Sequence, residues 1–432
     1  MKKVLTSLFL ILVIILSSSC MCSADAPSPK GSSAVLATLS GEQILYSKNF
    51  EAKIAPAELT KLMTAYTAFK IYGMDKSITV SDNLSDYTHY ADASMKLKSG
   101  EKLTSGNLIA GMLVEQANDA VYAIALNYGG IDKFVEKMNE YAKELELKNT
   151  AFTNPTGKED SKQYTTASDL LKLYRAIYKE KALYSVISTR NVTIPATNLS
   201  EERQYWTKNH LMSKFIYYDY IYDPATAGVS SATDFGGYSV ISSAVKGDTE
   251  LVCIVLNSVK EEDTNCAMTD AQALFDYGFK EFKTVDLVKI GTLLEEAQVK
   301  NGKNKDTLLL AAKRSMKVEI LNDDDINAVT RKVVVEEPVK APIKKGDVLG
   351  YVEYSYNGNH VGTVELVAEQ DVKKSNLKAL FGGIGWFFGL PFIKFVIFAV
   401  IAVIAIMIVL AYLRAKRRRI RRRNRRRRYK KF

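Results

Sequence analysis

Two side chains with acid–base chemistry, Glu58 and Lys61, stand three residues apart in the stretch PAELTKLMTAYTAFK, residues 56–70. Pro56 suits the start of a helix, Glu58 falls in the first turn near the positive end of the dipole, and Leu59, Leu62, Met63, Tyr66 and Phe69 recur at helical spacing. Residues i and i+3 lie one above the other on a helix, so the carboxylate and the ammonium meet. On periodicity alone this is a core helix, buried along one face, with an ion pair at its surface. Other chemistry-bearing residue types are sparse. His89, His210 and His360 are scattered without metal-ligand spacing, which predicts no metal site, and no motif calls for a cofactor. Cys20 and Cys22 sit in the N-terminal segment; Cys253, in the apolar run LVCIVL, reads as a buried thiol, with a bridge to Cys266 as the alternative.

The elements that must position this pair are legible along the chain. At 432 residues, 47% apolar and 25% charged, the composition is globular and has room for two or three domains. The net charge of +11 is not spread over a folded surface: fourteen Arg and Lys and no acid lie beyond Leu413, which leaves −3 for residues 1–413. Residues 1–24 have the layout of a secretory signal peptide, Lys2 and Lys3 followed by LFLILVIIL and small residues, with cleavage after Ala24. A lipoprotein-type cleavage before Cys20 and an uncleaved anchor are the alternatives. Residues 25–33 form a polar linker.

Residues 34–281 read as one α+β domain. AVLATLS, a Gly41-Glu42 turn and QILYSKN give two strands; helices follow over 105–114 (capped by Thr104), from Glu115-Gln116-Ala117-Asn118 to Tyr128, over 132–145, and from a Thr166 or Ser168 cap to Tyr178. Strands resume at YSVISSAV and ELVCIVLNS, and a helix over 268–279 packs back on them. Residues 282–372 alternate in strand fashion, as in RKVVVEEPV and YVEYSYNGNHVGTVELVA, with turns at Lys345-Gly346 and Asn357-Gly358; this small β domain reads as a spacer or a contact surface. After a juxtamembrane segment, 373–391, with Trp386, Phe387 and Phe388 as an interfacial belt, residues 392–413 form a transmembrane helix. Its nineteen apolar residues from Phe395 to Leu413 span roughly 28 Å at helical rise. The basic tail, 414–432, belongs in the cytoplasm by the positive-inside rule, where it attracts anionic lipid, and it argues for a stop-transfer anchor against nucleic-acid binding.

Seven blocks in order, LYSKNFEAKIAPAELTKLMTA, LKSGEKLT, LVEQANDA, LELKNTAFTNPTG, TTASDL, GGYSVISSAV and ALFDYGF, together resemble the serine-type D-alanyl-D-alanine carboxypeptidases, the low-molecular-mass penicillin-binding proteins. PIKKGDVLGYVEYSYNGNHVGTVELV is similar to that family's C-terminal β domain. The resemblance implies a penicillin-binding-protein/β-lactamase-like transpeptidase domain, an antiparallel sheet with a helical block, followed by a small all-β domain and a C-terminal membrane helix. It also implies acyl transfer by a helix-borne serine, a lysine one turn on, a Ser-x-Asn loop and a Lys-Thr-Gly edge strand. Matched to those motifs, Glu58 holds the nucleophile's place and Lys61 keeps the base. Gln116 stands for the second serine and Asn118 keeps the asparagine. In YDPATAGVS, Thr226 stands for the lysine and Ala227 for the threonine, while Gly228 survives. Thr156 replaces the histidine of Asn-Pro-His-Gly. Backbone N–H groups of Glu58 and Val229 are what the resemblance leaves of an oxyanion hole.

These departures have chemical consequences. A Glu58 carboxylate is a weaker nucleophile than serine and would form a labile anhydride; it would instead accept a charge-assisted hydrogen bond from Lys61 and take that lysine out of service as a base. Thr226 and Ala227 supply neither the cation nor the second hydroxyl that would meet a substrate carboxylate, an interaction worth up to about 4 kcal/mol at an effective dielectric near 20. Glu58 as a general base toward water is chemically permissible, but the missing anchor argues against it. The expected function is therefore a membrane-anchored, extracytoplasmic family member without catalysis. It would hold a peptidoglycan stem peptide or a cell-envelope protein through the old cleft or the β domain. An active carboxypeptidase trimming the terminal D-Ala of pentapeptide stems is the alternative, and a structural role carried by the anchor and β domain is the third reading.

Overall fold

The apolar runs that read as strands from sequence become the interior of a five-stranded antiparallel sheet. Its strands are β1 (Ser33–Thr38), β2 (Ile44–Lys48), β3 (Ala225–Thr233), β4 (Gly237–Lys246) and β5 (Thr249–Ser258), in the order β2-β1-β5-β4-β3. The computed structural model describes residues 26–89, 93–213, 218–336, 338–375 and 391–428. The expected signal peptide with Cys20 and Cys22, the Trp386–Phe388 belt and the end of the basic tail lie outside the described residues.

The sheet is covered on both faces, which is why its inner strands are apolar without a break rather than alternating. Successive residues of β1 point to opposite sides. Val35 and Ala37 join a core with Val229, Ile241, Val252 and Ile254 under the helical block; Ala34 and Leu36 join Val240, Leu251, Cys253 and Val255 under the closing helix. Val35 sits opposite Ile254 and Val229 opposite Ile241 in the ladders. Cys253 and Cys266 are both buried free thiols, so the alternative of a bridge between them is overturned. Burial pushes the Cys253 thiol far up, which makes it an inert core residue.

The helices are α1 (Thr60–Tyr72), α2 (Ser105–Ala110), α3 (Asn118–Asn127), α4 (Ile131–Glu144), α5 (Ala167–Lys179), α6 (Lys181–Ile187) and α7 (Cys266–Glu281). Thr104 caps α2 by accepting from the Asn107 N–H, and Thr166 rather than Ser168 caps α5, accepting from the Asp169 N–H at 3.1 Å. The helix expected over 105–114 is shorter: after Ala110 the chain widens into a π turn, Gly111–Glu115, and ends on Gln116 in the left-handed conformation, φ +62°. Helix α6 and the hairpin Asn191–Ile194/Arg203–Trp206 were not expected at all.

The chain divides into two compact units, residues to 287 with 316–331 and 353–363, and residues 288–315 with 332–352 and from 364 onward. Residues 293–368 contribute a six-stranded sheet whose order is Val329–Val335, Val348–Tyr356, Asn359–Ala368, Thr307–Ala312, Leu293–Lys300, Val339–Lys340. A last helix, α8 (Pro391–Arg428), continues without a break from the apolar run into the Arg-rich tail. Within it, Phe395–Arg419 is long and apolar enough to cross a membrane, and it is the one such helix among the described residues.

Candidate functional site

The pair Glu58/Lys61 stands where the chain turns into α1. Pro56 is already helical at φ −69°, Ala57 takes a left-handed φ of +45°, and a short 3₁₀ turn, Ala57–Leu59, leads into the helix. The helix differs from the expected one-sided pattern: residues 60–68 are all buried, because the sheet, α2, α4 and α5 pack around it. The ion pair is accordingly not at the surface. Lys61 Nζ donates to Glu58 Oε1 at 3.4 Å, with the lysine side chain 3% and the carboxylate 24% exposed. The Glu58 N–H donates to Ser231 Oγ on β3 at 3.3 Å, so one of the two donors assigned to an oxyanion hole is already engaged. Thr60, also buried, faces away and accepts from Gln163 Nε2 at 3.3 Å.

A loop presses on this turn from outside. Thr64 Oγ1 donates to Pro155 O at 2.6 Å, and Asn154 Oδ1 accepts from the Gly157 N–H at 2.8 Å and the Lys158 N–H at 3.0 Å. Gly157, at φ +89°, approaches so closely that a Cβ there would lie 1.8 Å from Ala57 O. Thr156, buried, hydrogen-bonds Asn154 Oδ1 at 3.2 Å.

Gln116 and Asn118 follow the π turn. The left-handed backbone of Gln116 throws its amide across to β3, where Nε2 donates to Ser230 O. Ser230 Oγ in turn donates to Lys208 O at 2.6 Å, and Lys208 Nζ pairs with Glu115 at 3.2 Å, so a line of polar contacts joins the helical side to the edge strand. Asn118 begins α3, its N–H donating to Ala93 O at 2.8 Å. Asp119, whose role the sequence did not suggest, is buried and accepts from the Met95 N–H at 2.9 Å, the Leu97 N–H at 3.0 Å and Ser94 Oγ at 2.7 Å. Glu101 supports the same loop. Burial alone would raise its carboxyl, but the Lys98 N–H, the Thr197 hydroxyl and Arg203 hold it below the usual range. Asp119→Asn keeps one acceptor and turns the other oxygen into a donor facing an N–H, so a loss of about 2 kcal/mol is expected in urea unfolding. An unchanged midpoint would show that the loop does not depend on this carboxylate.

On β3, Thr226 Oγ1 lies 3.2 Å from Ser243 Oγ, which also contacts Tyr184 OH at 2.8 Å and Tyr174 OH at 3.1 Å. Neutral hydroxyls thus fill the surroundings of the position matched to a lysine. Ala227 is buried, its carbonyl accepting from Ser242 Oγ at 2.8 Å. Gly228, at φ +146°, leaves no room for a side chain: a Cβ there would lie 2.3 Å from Ile241 O.

The resulting cleft is divided at Glu58. An open part of about 300 Å³ is lined by Glu58, Lys61 and Asn118 together with the 156–159 loop and the turn at Thr233–Phe235. On the other side, between Leu62, Met112, Leu113, Gln116 and Val229, the space left is too small for a water molecule. Glu58 and Lys61 belong to both parts, Asn118 to the first, Gln116 and Val229 to the second; Thr226, Ala227 and Gly228 line neither. Among the described residues no group of His, Cys, Asp and Glu is arranged to hold a metal ion.

Residues 21–260 match the family model described as D-alanyl-D-alanine carboxypeptidase, and residues 282–374 match that of the penicillin-binding protein 5 C-terminal domain. The D-alanyl-D-alanine carboxypeptidase DacF of Bacillus subtilis is 28% identical over 352 residues, 80% of this chain and 87% of that protein. DacC of Escherichia coli is 27% identical over 380 residues, 85% and 90% of the two chains. Penicillin binding protein 5 from Haemophilus influenzae superposes with a TM-score of 0.67 at 24% identity, over 82% of this chain and 100% of that one.

Proposed function

Since the chain belongs to the D-alanyl-D-alanine carboxypeptidase family, we propose that it is a member without catalysis, a binding or regulatory homologue that holds a peptidoglycan stem peptide, or a cell-envelope protein, in its cleft. The family acts on peptidoglycan stem peptides, so the proposal keeps the ligand class and removes the reaction. One observation carries it. At the place matched to the nucleophile stands a carboxylate that accepts from Lys61, while its own N–H is spent on Ser231. The attacking hydroxyl is gone, and one of the two donors for the developing oxyanion is already engaged.

The remaining assignments support that reading. Thr226 and Ala227 offer no cation to a terminal carboxylate, and Gln116 ties the loop to the edge strand. The Phe395–Arg419 segment would tether residues 25 to about 380 outside the cell membrane, with residues 414–432 in the cytoplasm against anionic lipid. Co-sedimentation of the full-length protein in detergent with purified peptidoglycan tests the wall-binding form. The proposal predicts that the protein pellets with the wall; a protein left entirely in solution would remove that form and leave only a protein partner. Retention of Lys61 and Asn118 beside an open cleft favours the second reading, an active carboxypeptidase, which release of D-Ala from a pentapeptide would reveal.

A further inference from the structure

We propose that the open part of the cleft recognises a side-chain ammonium group of its peptide, and that a free C-terminal carboxylate is not required. The inference deepens the wall-peptide reading above and rests on it.

Position comes first. The open cavity gathers at the end of β3 where Thr233, Asp234 and Phe235 turn toward β4. Thr226, matched to the lost carboxylate anchor, is seven residues back on the same strand, roughly 23 Å at strand rise. Between the two ends lies the closed seam at Gln116 and Val229, held by the Gln116 amide on Ser230 O. A ligand seated in the open part therefore does not reach Thr226 without breaking that contact. It is read by what it presents at the Thr233 end.

Charge and hydrogen bonding then select the group. The cavity wall carries Glu58, Glu159 and Asp234 against Lys61 and Lys158, and the Lys61 ammonium already serves Glu58. The balance is negative, so a carboxylate entering here is repelled and an ammonium attracted. Asn118 lines the same cavity, and its Oδ1, buried from water, has no hydrogen-bond partner among the described residues. A buried acceptor in that state loses free energy until a donor arrives. Phe235, 44% exposed, and Tyr122 supply aromatic surface for the methylene stem and, at their faces, for the cation itself. An ammonium at the end of an aliphatic chain, the side chain of a diamino acid inside a stem peptide, satisfies these features together.

The test uses the full-length protein in detergent micelles and N-acetyl-L-Ala-γ-D-Glu-L-Lys-D-Ala-D-Ala in three forms: free, acetylated at the lysine Nε, and amidated at the C-terminus. Acetylation is expected to weaken binding about tenfold or more, and amidation to change it by less than about twofold. Asp234→Asn with Glu159→Gln, both at exposed positions, should bring the free peptide to the level of the acetylated one. Binding that survives acetylation but is lost on amidation would overturn the inference and leave the wall-peptide reading standing. Failure of all three peptides to bind would overturn both.

Discussion

Gly157→Ala is expected to destabilise the protein by about 3 kcal/mol or more and to displace Glu58. The new Cβ would lie 1.8 Å from Ala57 O and 2.4 Å from Ala57 C, and both are backbone atoms that cannot rotate away. The φ of +89° adds conformational strain of about 1–3 kcal/mol for any residue with a side chain. Overpacking adds a similar amount. Relief requires the 154–157 loop or the Ala57–Leu59 turn to move, and the turn carries the site. Urea unfolding should show the loss of stability, whereas Lys158→Ala, at an exposed neighbour, should leave the midpoint within about 0.5 kcal/mol. Equal midpoints for the two variants would mean that the loop does not bear on the helix start as described.

The second large effect concerns what is needed to return acyl transfer to this cleft. Glu58→Ser alone is expected to give no penicilloyl adduct, because three other features remain: no cation at residue 226, no hydroxyl at 227, and the Gln116 amide fastened to Ser230 O. The variant that combines Glu58→Ser, Gln116→Ser, Thr226→Lys and Ala227→Thr is expected to react with benzylpenicillin. Leaving Thr226→Lys out of that set removes an interaction of up to about 4 kcal/mol, which is about a thousandfold in acylation rate. Adding Ser231→Ala should speed it further, since the residue 58 N–H would no longer be spent on that hydroxyl. Acylation of the single Glu58→Ser variant at the rate of the combined one would show that the nucleophile alone had been missing.

The layers of the fold were readable from sequence where a local period reports burial. AVLATLS and ELVCIVLNS are apolar on both faces and became inner strands; the stretch 132–145 keeps an amphipathic pattern and became α4. The hairpin Asn191–Ile194/Arg203–Trp206 escaped because its strands are only four residues each, and part of its worth lies in distant contacts such as Arg203 with Glu101. The surroundings of Glu58 were legible only in part. Helical spacing brings Lys61 to it, but Ser231 and Gln116 arrive from far along the chain, and the reach of Gln116 depends on a left-handed φ after a π turn that no local pattern announces. Nor does periodicity reveal that α1 is enclosed on all sides, since Thr60, Thr64 and Thr67 read as polar yet are buried.

That the Glu58/Lys61 turn does no acyl transfer is tested by the intact mass of the full-length protein before and after incubation with benzylpenicillin. The native protein is expected to keep its mass under conditions in which the combined variant is modified. A native protein that gains the mass of one penicilloyl group would contradict it and place the chain among the family's working enzymes.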